Sequence, residues 1–400
     1  MKVGFISVSH NFYGDTQNSV DVAIGRYTKH TVYGMKNAFT EADQLTLITN
    51  QESEGTWDQA FFQIVKPFSK SKSIGIKLWN YLRKARFDVV HFQHEFFIYG
   101  GPLNSILITL ALLFHKHAKK VVTAHHVVDM RKIDKKFITD NNYSYPVWLV
   151  RLAMGVSYAL LLACCDRVVV HETASKNILM ANWSWLFGDL YRDIVVINHG
   201  ISTREKSDRM ASRSQLKLID DYMYVLFFGY VSRHKGVDLL LDGVKILQQQ
   251  GKKISVIIAG GEHPKLATEK DYQGFYAGLQ SKAAALQGAC WYGFAQEDAL
   301  PVLFSAADIA AFPYTTRNAA SGSVTDSISF GLPFILSNKF ADIEDYQHLT
   351  FDITPQALAD KLDSAIAERD QMQQEVLNWR KQYNWDNIGQ LNMNLYKSLI

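Results

Sequence analysis

A chain of 400 residues exceeds what a single hydrophobic core ordinarily organises, and with 48% hydrophobic and 20% charged residues it is neither disordered nor short of side chains for two buried sheets. Lys+Arg 42 against Asp+Glu 39 leaves a formal net charge of +3, too small a surplus for the basic face of a dedicated nucleic-acid binder. Three cysteines, two of them adjacent at Cys164 and Cys165, form no disulfide framework and no metal-ligand spacing, and the N-terminus lacks the apolar core and cleavage site of a signal peptide, so a cytoplasmic protein is expected.

In chain order, residues 2–9 read as a strand and 22–39 as a helix, with Ile24, Tyr27, Val32 and Met35 near helical spacing. A strand at 44–49 is followed by a basic cluster, Lys66, Lys70, Lys72, Lys77, Arg83, Lys84 and Arg86. Ile74, Leu78 and Leu82 share a helix face within it. This segment reads as an amphipathic basic helix that either rests on an anionic membrane or presents a solvated face. Strands at 87–96, 120–127, 166–171 and 193–198 alternate with apolar runs at 105–114 and 147–165. Both runs are too short, or too interrupted by Arg151, for a membrane span, and read as buried helices. The alternation builds a parallel sheet covered on both faces.

The polar segment 202–220, with Arg204, Lys206, Asp208 and Arg209, reads as a linker. Beyond it the pattern repeats, with strands at 223–229, 254–260, 290–294, 308–313 and 334–337. In open parallel sheets ligands bind beyond the carboxyl ends of the strands, so the loops there are the candidate sites.

Two such loops carry anion-binding chemistry. Gly229-Tyr230-Val231-Ser232-Arg233-His234-Lys235-Gly236 joins a strand to a helix, where unpaired N–H groups and cationic side chains favour phosphate; a solvated basic turn reads equally well from this loop alone. After Phe312-Pro313-Tyr314, the run Thr315 to Ser323 enters a helix through small residues, among them Ser321, Gly322 and Ser323, that let a diphosphate approach the backbone. Asp326, one turn further, is placed to accept hydrogen bonds from ribose hydroxyls. His91, His94, His125 and His126 match no metal-ligand pattern, and one or two of them are expected to donate hydrogen bonds in a cleft.

Together these motifs resemble family 4 of the retaining glycosyltransferases, a GT-B group that includes many bacterial mannosyl- and glucosyltransferases. Gly25-Arg26-Tyr27 resembles the start of that family's first helix, the run Asp88 to Phe96 with Gly100-Gly101 its Gln-His-Glu strand end, Val121 to His125 its Thr-x-His strand, and Asn198-His199-Gly200 its pre-linker turn. Gly229 to Gly236 matches its Gly-x-x-x-x-x-Lys-Gly loop, Ser305 to Asp308 with Pro313-Tyr314 its donor-site strand, and Trp385 to Ile388 its C-terminal helix. Two positions depart from the family. Tyr230 stands where members often carry Arg, which leaves Arg233 to supply a second charge. Two family glutamates, separated by seven residues, fall on Asn318 and Asp326.

The resemblance implies two Rossmann-like, doubly wound α/β domains with an interdomain cleft. Residues 1–203 form the acceptor-side domain, 204–375 the nucleotide-sugar domain, and 376–400 a C-terminal helix that crosses back. It implies retaining, metal-independent transfer of a hexose from a UDP- or GDP-sugar to a glycan or lipid-linked acceptor, without a cofactor and with peripheral contact at the inner face of the membrane. His125, Arg233 and Lys235 take the catalytic roles. Gly25, Gly229, Asn318, Ser321, Gly322, Ser323 and Asp326 hold the donor, and Gln93, His94 and Glu95 lie on the acceptor side. A nucleotide-sugar epimerase or phosphorylase of related fold, and a binding subunit without turnover, remain as alternatives; hydrolysis fits less well because no acid/base carboxylate pair is visible.

Overall fold

The alternation of short β-branched runs with longer apolar-striped segments resolves into two parallel sheets. The computed structural model describes residues 1–8, 19–50, 61–96, 98–140, 145–191, 193–264, 266–316 and 321–400. They divide into one unit of Met1–Gly200 with Trp385–Ile400 and a second of Ile201–Asn384.

The first unit contains β1 (Lys2–Ile6), β2 (Gln44–Asn50), β3 (Phe62–Phe68), β4 (Val89–His94), β5 (Lys119–Ala124), β6 (Arg167–Val170) and β7 (Ile194–Val196), in the sheet order β3-β2-β1-β4-β5-β6-β7. Its helices are α1 (Ser19–Gly34), α2 (Ile74–Ala85), α3 (Pro102–Leu113), α4 (Lys135–Asp140), α5 (Val147–Cys164) and α6 (Thr173–Phe187). In the second unit come α7 (Arg209–Gln215), β8 (Met223–Phe228), α8 (Val237–Gln249), β9 (Ile254–Ala259), α9 (Lys270–Ala284), β10 (Cys290–Trp291), α10 (Leu300–Ala306), β11 (Ile309–Phe312), α11 (Gly322–Phe330), β12 (Phe334–Ser337), β13 (Thr350–Phe351), α12 (Pro355–Ala367) and α13 (Arg369–Gln382). Its sheet runs β10-β9-β8-β11-β12-β13, again parallel throughout. The last helix, α14 (Trp385–Lys397), returns to the first unit, whereas residues up to Asn384 stay in the second.

Alternate residues of the central strands face opposite layers of the first unit. Val3, Phe5, Val89 and Val121 pack with Val32 of α1, with Met35 just beyond it, and with Ile388, Met393 and Tyr396 of α14. Ile6, Val90, Phe92 and Val122 pack with α2, α3 and α5. Helices α1 and α14 approach closely through glycine: a Cβ on Gly34 would lie 2.0 Å from the Trp385 carbonyl oxygen, so no larger residue fits there.

The expected strands are all present within a few residues, and two more appear. β3 and β13 both lie at sheet edges, where β3 carries Pro67, a residue whose missing N–H is tolerated at an edge. In α2, Ile74, Leu78 and Leu82 are fully buried, so this helix presents its basic face to solvent and its apolar face to the core; a membrane contact through those apolar residues is ruled out by their packing. The expected linker is structured as well. Helix α7 packs on α10, and Arg213 is buried and bonded to Asp308, so a segment that read as a linker is anchored to the second unit.

Candidate functional site

In each sheet the strand order reverses beside the first strand, between β1 and β4 and between β8 and β11, and an open α/β sheet offers its crevice at that point. In the second unit, the two loops singled out from sequence emerge there and meet. Gly229 follows β8 with φ 126°, and a Cβ on it would lie 3.0 Å from Ser323 Oγ at the start of α11. Gly236 has φ 68°, and a Cβ there would fall 2.0 Å from the Pro313 carbonyl oxygen. Only glycine lets the β8 loop lie against the end of β11 in this way. The Thr315 N–H donates to the His234 carbonyl at 2.9 Å, and Tyr314 and Ser321 share a hydroxyl–hydroxyl bond of 3.0 Å.

Lys235 holds its ammonium 3.7 Å from the centroid of the Tyr314 ring and has no acidic partner among the described residues. This leaves its charge available to a ligand at the mouth of α11. The first N–H groups of α11, at Gly322 and Ser323, have no intrahelical acceptor, and a Cβ on Gly322 would meet nothing within 4 Å. His234, beside Lys235, is held below its ordinary pKa by burial first and then by the charges of Lys235 and His263. It adds hydrogen-bonding capacity at neutral pH without a second charge.

Arg233 lies elsewhere in the loop: its guanidinium donates to Asp271 at 2.8 Å and covers the Phe275 ring at 4.5 Å. The pair is exposed, and such pairs contribute about 1 kcal/mol or less, so the guanidinium is readily exchanged to another anion. Asp326 is one turn inside α11, 3.8 Å from Arg204, which also meets Glu297 at 2.6 Å. Neither Arg204 nor Glu297 was visible as a site residue, because the turn that brings Glu297 here follows a different strand. Asn318 lies outside the described residues.

The first unit assembles a polar cluster at the ends of β4 and β5. His91 and Gln93 alternate onto one face of β4; Gln93 lies 2.8 Å from His125 Nε2 and 3.1 Å from His91 Nε2. His125 Nδ1 is 3.3 Å from His171 Nε2, and His171 Nδ1 donates to the Ile197 carbonyl at 2.9 Å. Burial above all, then the neighbouring histidines, keeps the His125 pKa well below its ordinary value, and burial lowers His171 to about 4. The partner at His125 Nε2 is the Gln93 Oε1, which only accepts, so that nitrogen donates to Gln93, and both His125 nitrogens face a protein partner. His171 is the member that sequence reading missed. Its only signal was a histidine at the carboxyl end of a strand, and its closeness to His125 depends on β6 pairing with β5.

Gly25 is buried inside α1 two residues before Tyr27, whose ring packs edge-on against His125 at 4.6 Å between centroids. His94 takes the opposite face of β4. It is fully buried against Phe96 and Tyr158, with Nδ1 lacking a hydrogen-bond partner, so its surroundings are core and not an open surface. The Glu95 carboxylate accepts from the Ile98 N–H at 3.1 Å and holds the turn that follows β4.

Two Rossmann-like units with these sheets define the GT-B fold. The Anabaena protein HepE, solved in complex with UDP, superposes over 100% of both chains with a TM-score of 0.67 at 15% identity. Sucrose-phosphate synthase from Thermosynechococcus elongatus matches 100% of this chain and 98% of its own with a TM-score of 0.63 at 16% identity. At the level of sequence, residues 208–382, most of the second unit, match the family described as glycosyl transferases group 1. An uncharacterized glycosyltransferase of Methanocaldococcus jannaschii is 24% identical over 259 residues, a stretch that spans 61% of this chain and 62% of that relative, less than two thirds of its length. The fold is therefore GT-B, and within it residues 208–382 are similar to group 1 glycosyl transferases.

Proposed function

We propose that this protein moves a hexose from a UDP- or GDP-sugar to a hydroxyl of a glycan or lipid-linked acceptor, with retention at the anomeric carbon and without metal or cofactor. The observation that carries this reading is the meeting of the Gly229–Gly236 loop with the start of α11, where the uncompensated ammonium of Lys235 and free N–H groups offer an anion site. Among structural neighbours, HepE was solved with UDP and with UDP-glucose, which fits a nucleotide-sugar here. The match to glycosyl transferases over residues 208–382 favours transfer over epimerase, phosphorylase or binding-subunit readings.

Negative charge grows on the diphosphate as the sugar departs, so groups that bind it more tightly in the transition state accelerate the reaction. Lys235 takes that role, with Arg233 as a second cation once it leaves Asp271. Asp326 is assigned to ribose and Asn318 to the sugar. His125, held between Gln93 and His171, is assigned to the sugar, with Gln93 and Glu95 on the acceptor side. We assign contact with the cytoplasmic membrane face to α5, where Trp148, Leu152 and Val156 form an exposed stripe next to Arg151 and Lys135. Lys235→Ala should leave the thermal midpoint nearly unchanged and lower kcat/KM about a hundredfold or more with a nucleotide-sugar donor, the size expected for loss of one charge-stabilising group. Near-normal turnover in the folded variant would sink the assignment.

A further inference from the structure

The donor-side loops lie at the carboxyl ends of the second sheet. A second basic site lies at the opposite edge, where β8, β11 and β12 begin. Its centre is Asp308, whose side chain is fully buried. Its Oδ2 accepts from Arg213 at 2.6 Å and from the Tyr224 N–H at 2.8 Å, while Oδ1 accepts from Arg209 at 2.5 Å and Arg369 at 3.3 Å. These bonds already satisfy the carboxylate. One negative charge therefore faces three guanidinium groups.

Of the three, Arg213 is the most fully engaged, since besides Asp308 it donates to the carbonyls of Ala306, Asp220 and Tyr222. Arg209 gives Asp308 a hydrogen bond from a single nitrogen and keeps most of its donors. Arg369 is balanced in part by Asp370 at 2.9 Å, a carboxylate that is itself exposed. Lys206 adds a fourth cation; among the described residues its ammonium meets only the Gly331 carbonyl, at 3.2 Å. Arg209, Arg369 and Lys206 line one cavity of about 180 Å³ together with Ser305, and the buried Ser305 Oγ has no hydrogen-bond partner among the described residues. Desolvation, and then the charge of Arg380, lower the pKa of Lys206, as expected for an ammonium lacking a counter-ion. Excess positive charge and an orphaned hydroxyl at one cavity call for a compact anion with several acceptor oxygens.

We propose that this cavity binds a phosphate group, as orthophosphate or as a phosphomonoester, at a site separate from the donor loops. Lys206 belongs to the segment that enters the second unit and Arg369 to the start of α13. A bound phosphate would fasten these two segments of that unit and stabilise it by mass action.

The test is calorimetric titration of the full chain with orthophosphate, and separately with glycerol 3-phosphate, at ionic strength held constant with chloride. Binding should survive Lys235→Ala and weaken about tenfold in Lys206→Ala, a variant that breaks no bond to Asp308 and so keeps the fold. Arg209→Gln should weaken it similarly. Tighter binding of glycerol 3-phosphate points to a phosphomonoester as the ligand, and tighter orthophosphate to the free ion; either order upholds the site. Binding that disappears in Lys235→Ala, that is unchanged in both Lys206→Ala and Arg209→Gln, or that does not exceed the chloride control overturns it.

Discussion

His91 and His94 are fully buried on opposite faces of β4, and each is pushed down to a pKa of about 3, by burial first. An unfolded chain titrates its histidines near 6.5. Above that pH neither state binds the proton. Below it the unfolded state takes the proton first, so stability is lost as pH falls, by about 1.4 kcal/mol per pH unit for each such histidine. The denaturation midpoint should therefore drop clearly between pH 7.5 and 5.0. His94→Leu, which removes one titrating ring and a nitrogen without a partner, should flatten that slope. A wild-type midpoint that does not move over this range would contradict the buried-histidine account. At this scale the glycines of the loop that carries Lys235 were legible, because a strained turn and a close backbone approach demand glycine at fixed positions. The neutral His125–His171 pair was not, since neither residue announces its partner along the chain.

Among the elements, α2 and α5 show how one pattern can have two fates. Both offer an apolar face with basic neighbours. In α2 that face is consumed by packing on α3, whereas α5, 18 residues with a mean hydropathy of 1.9, has two apolar faces. Val150, Met154, Tyr158 and Leu161 enter the core, and Trp148, Leu152 and Val156 remain 65%, 55% and 41% exposed. If this stripe meets lipid, Trp148→Ser combined with Leu152→Ser should reduce cosedimentation with vesicles containing anionic phospholipid about tenfold or more, given about 0.8 kcal/mol for each buried methylene. Equal pelleting of the double variant and the wild type would remove α5 from any membrane contact. Periodicity identified both helices, but it could not tell which face each would bury.

For the whole molecule, the proposed transfer assigns to cationic side chains and helix-end N–H groups the place a divalent ion has in other phosphate chemistry. Transfer from a nucleotide-sugar should then proceed at an undiminished rate in excess EDTA, and activity lost on chelation and restored by Mg²⁺ or Mn²⁺ would refute the metal-independent reading. That two parallel α/β sheets would form, with glycine-bearing loops after their strands, was determined by the sequence alone, because strand and helix periods and turn residues are local properties. Only the tertiary structure decided which strands are edges, that the polar segment after Gly200 would anchor Arg213 to Asp308, and that His171 would reach His125. Each of these depends on which strands lie side by side, and that order is set by contacts between residues far apart in the chain.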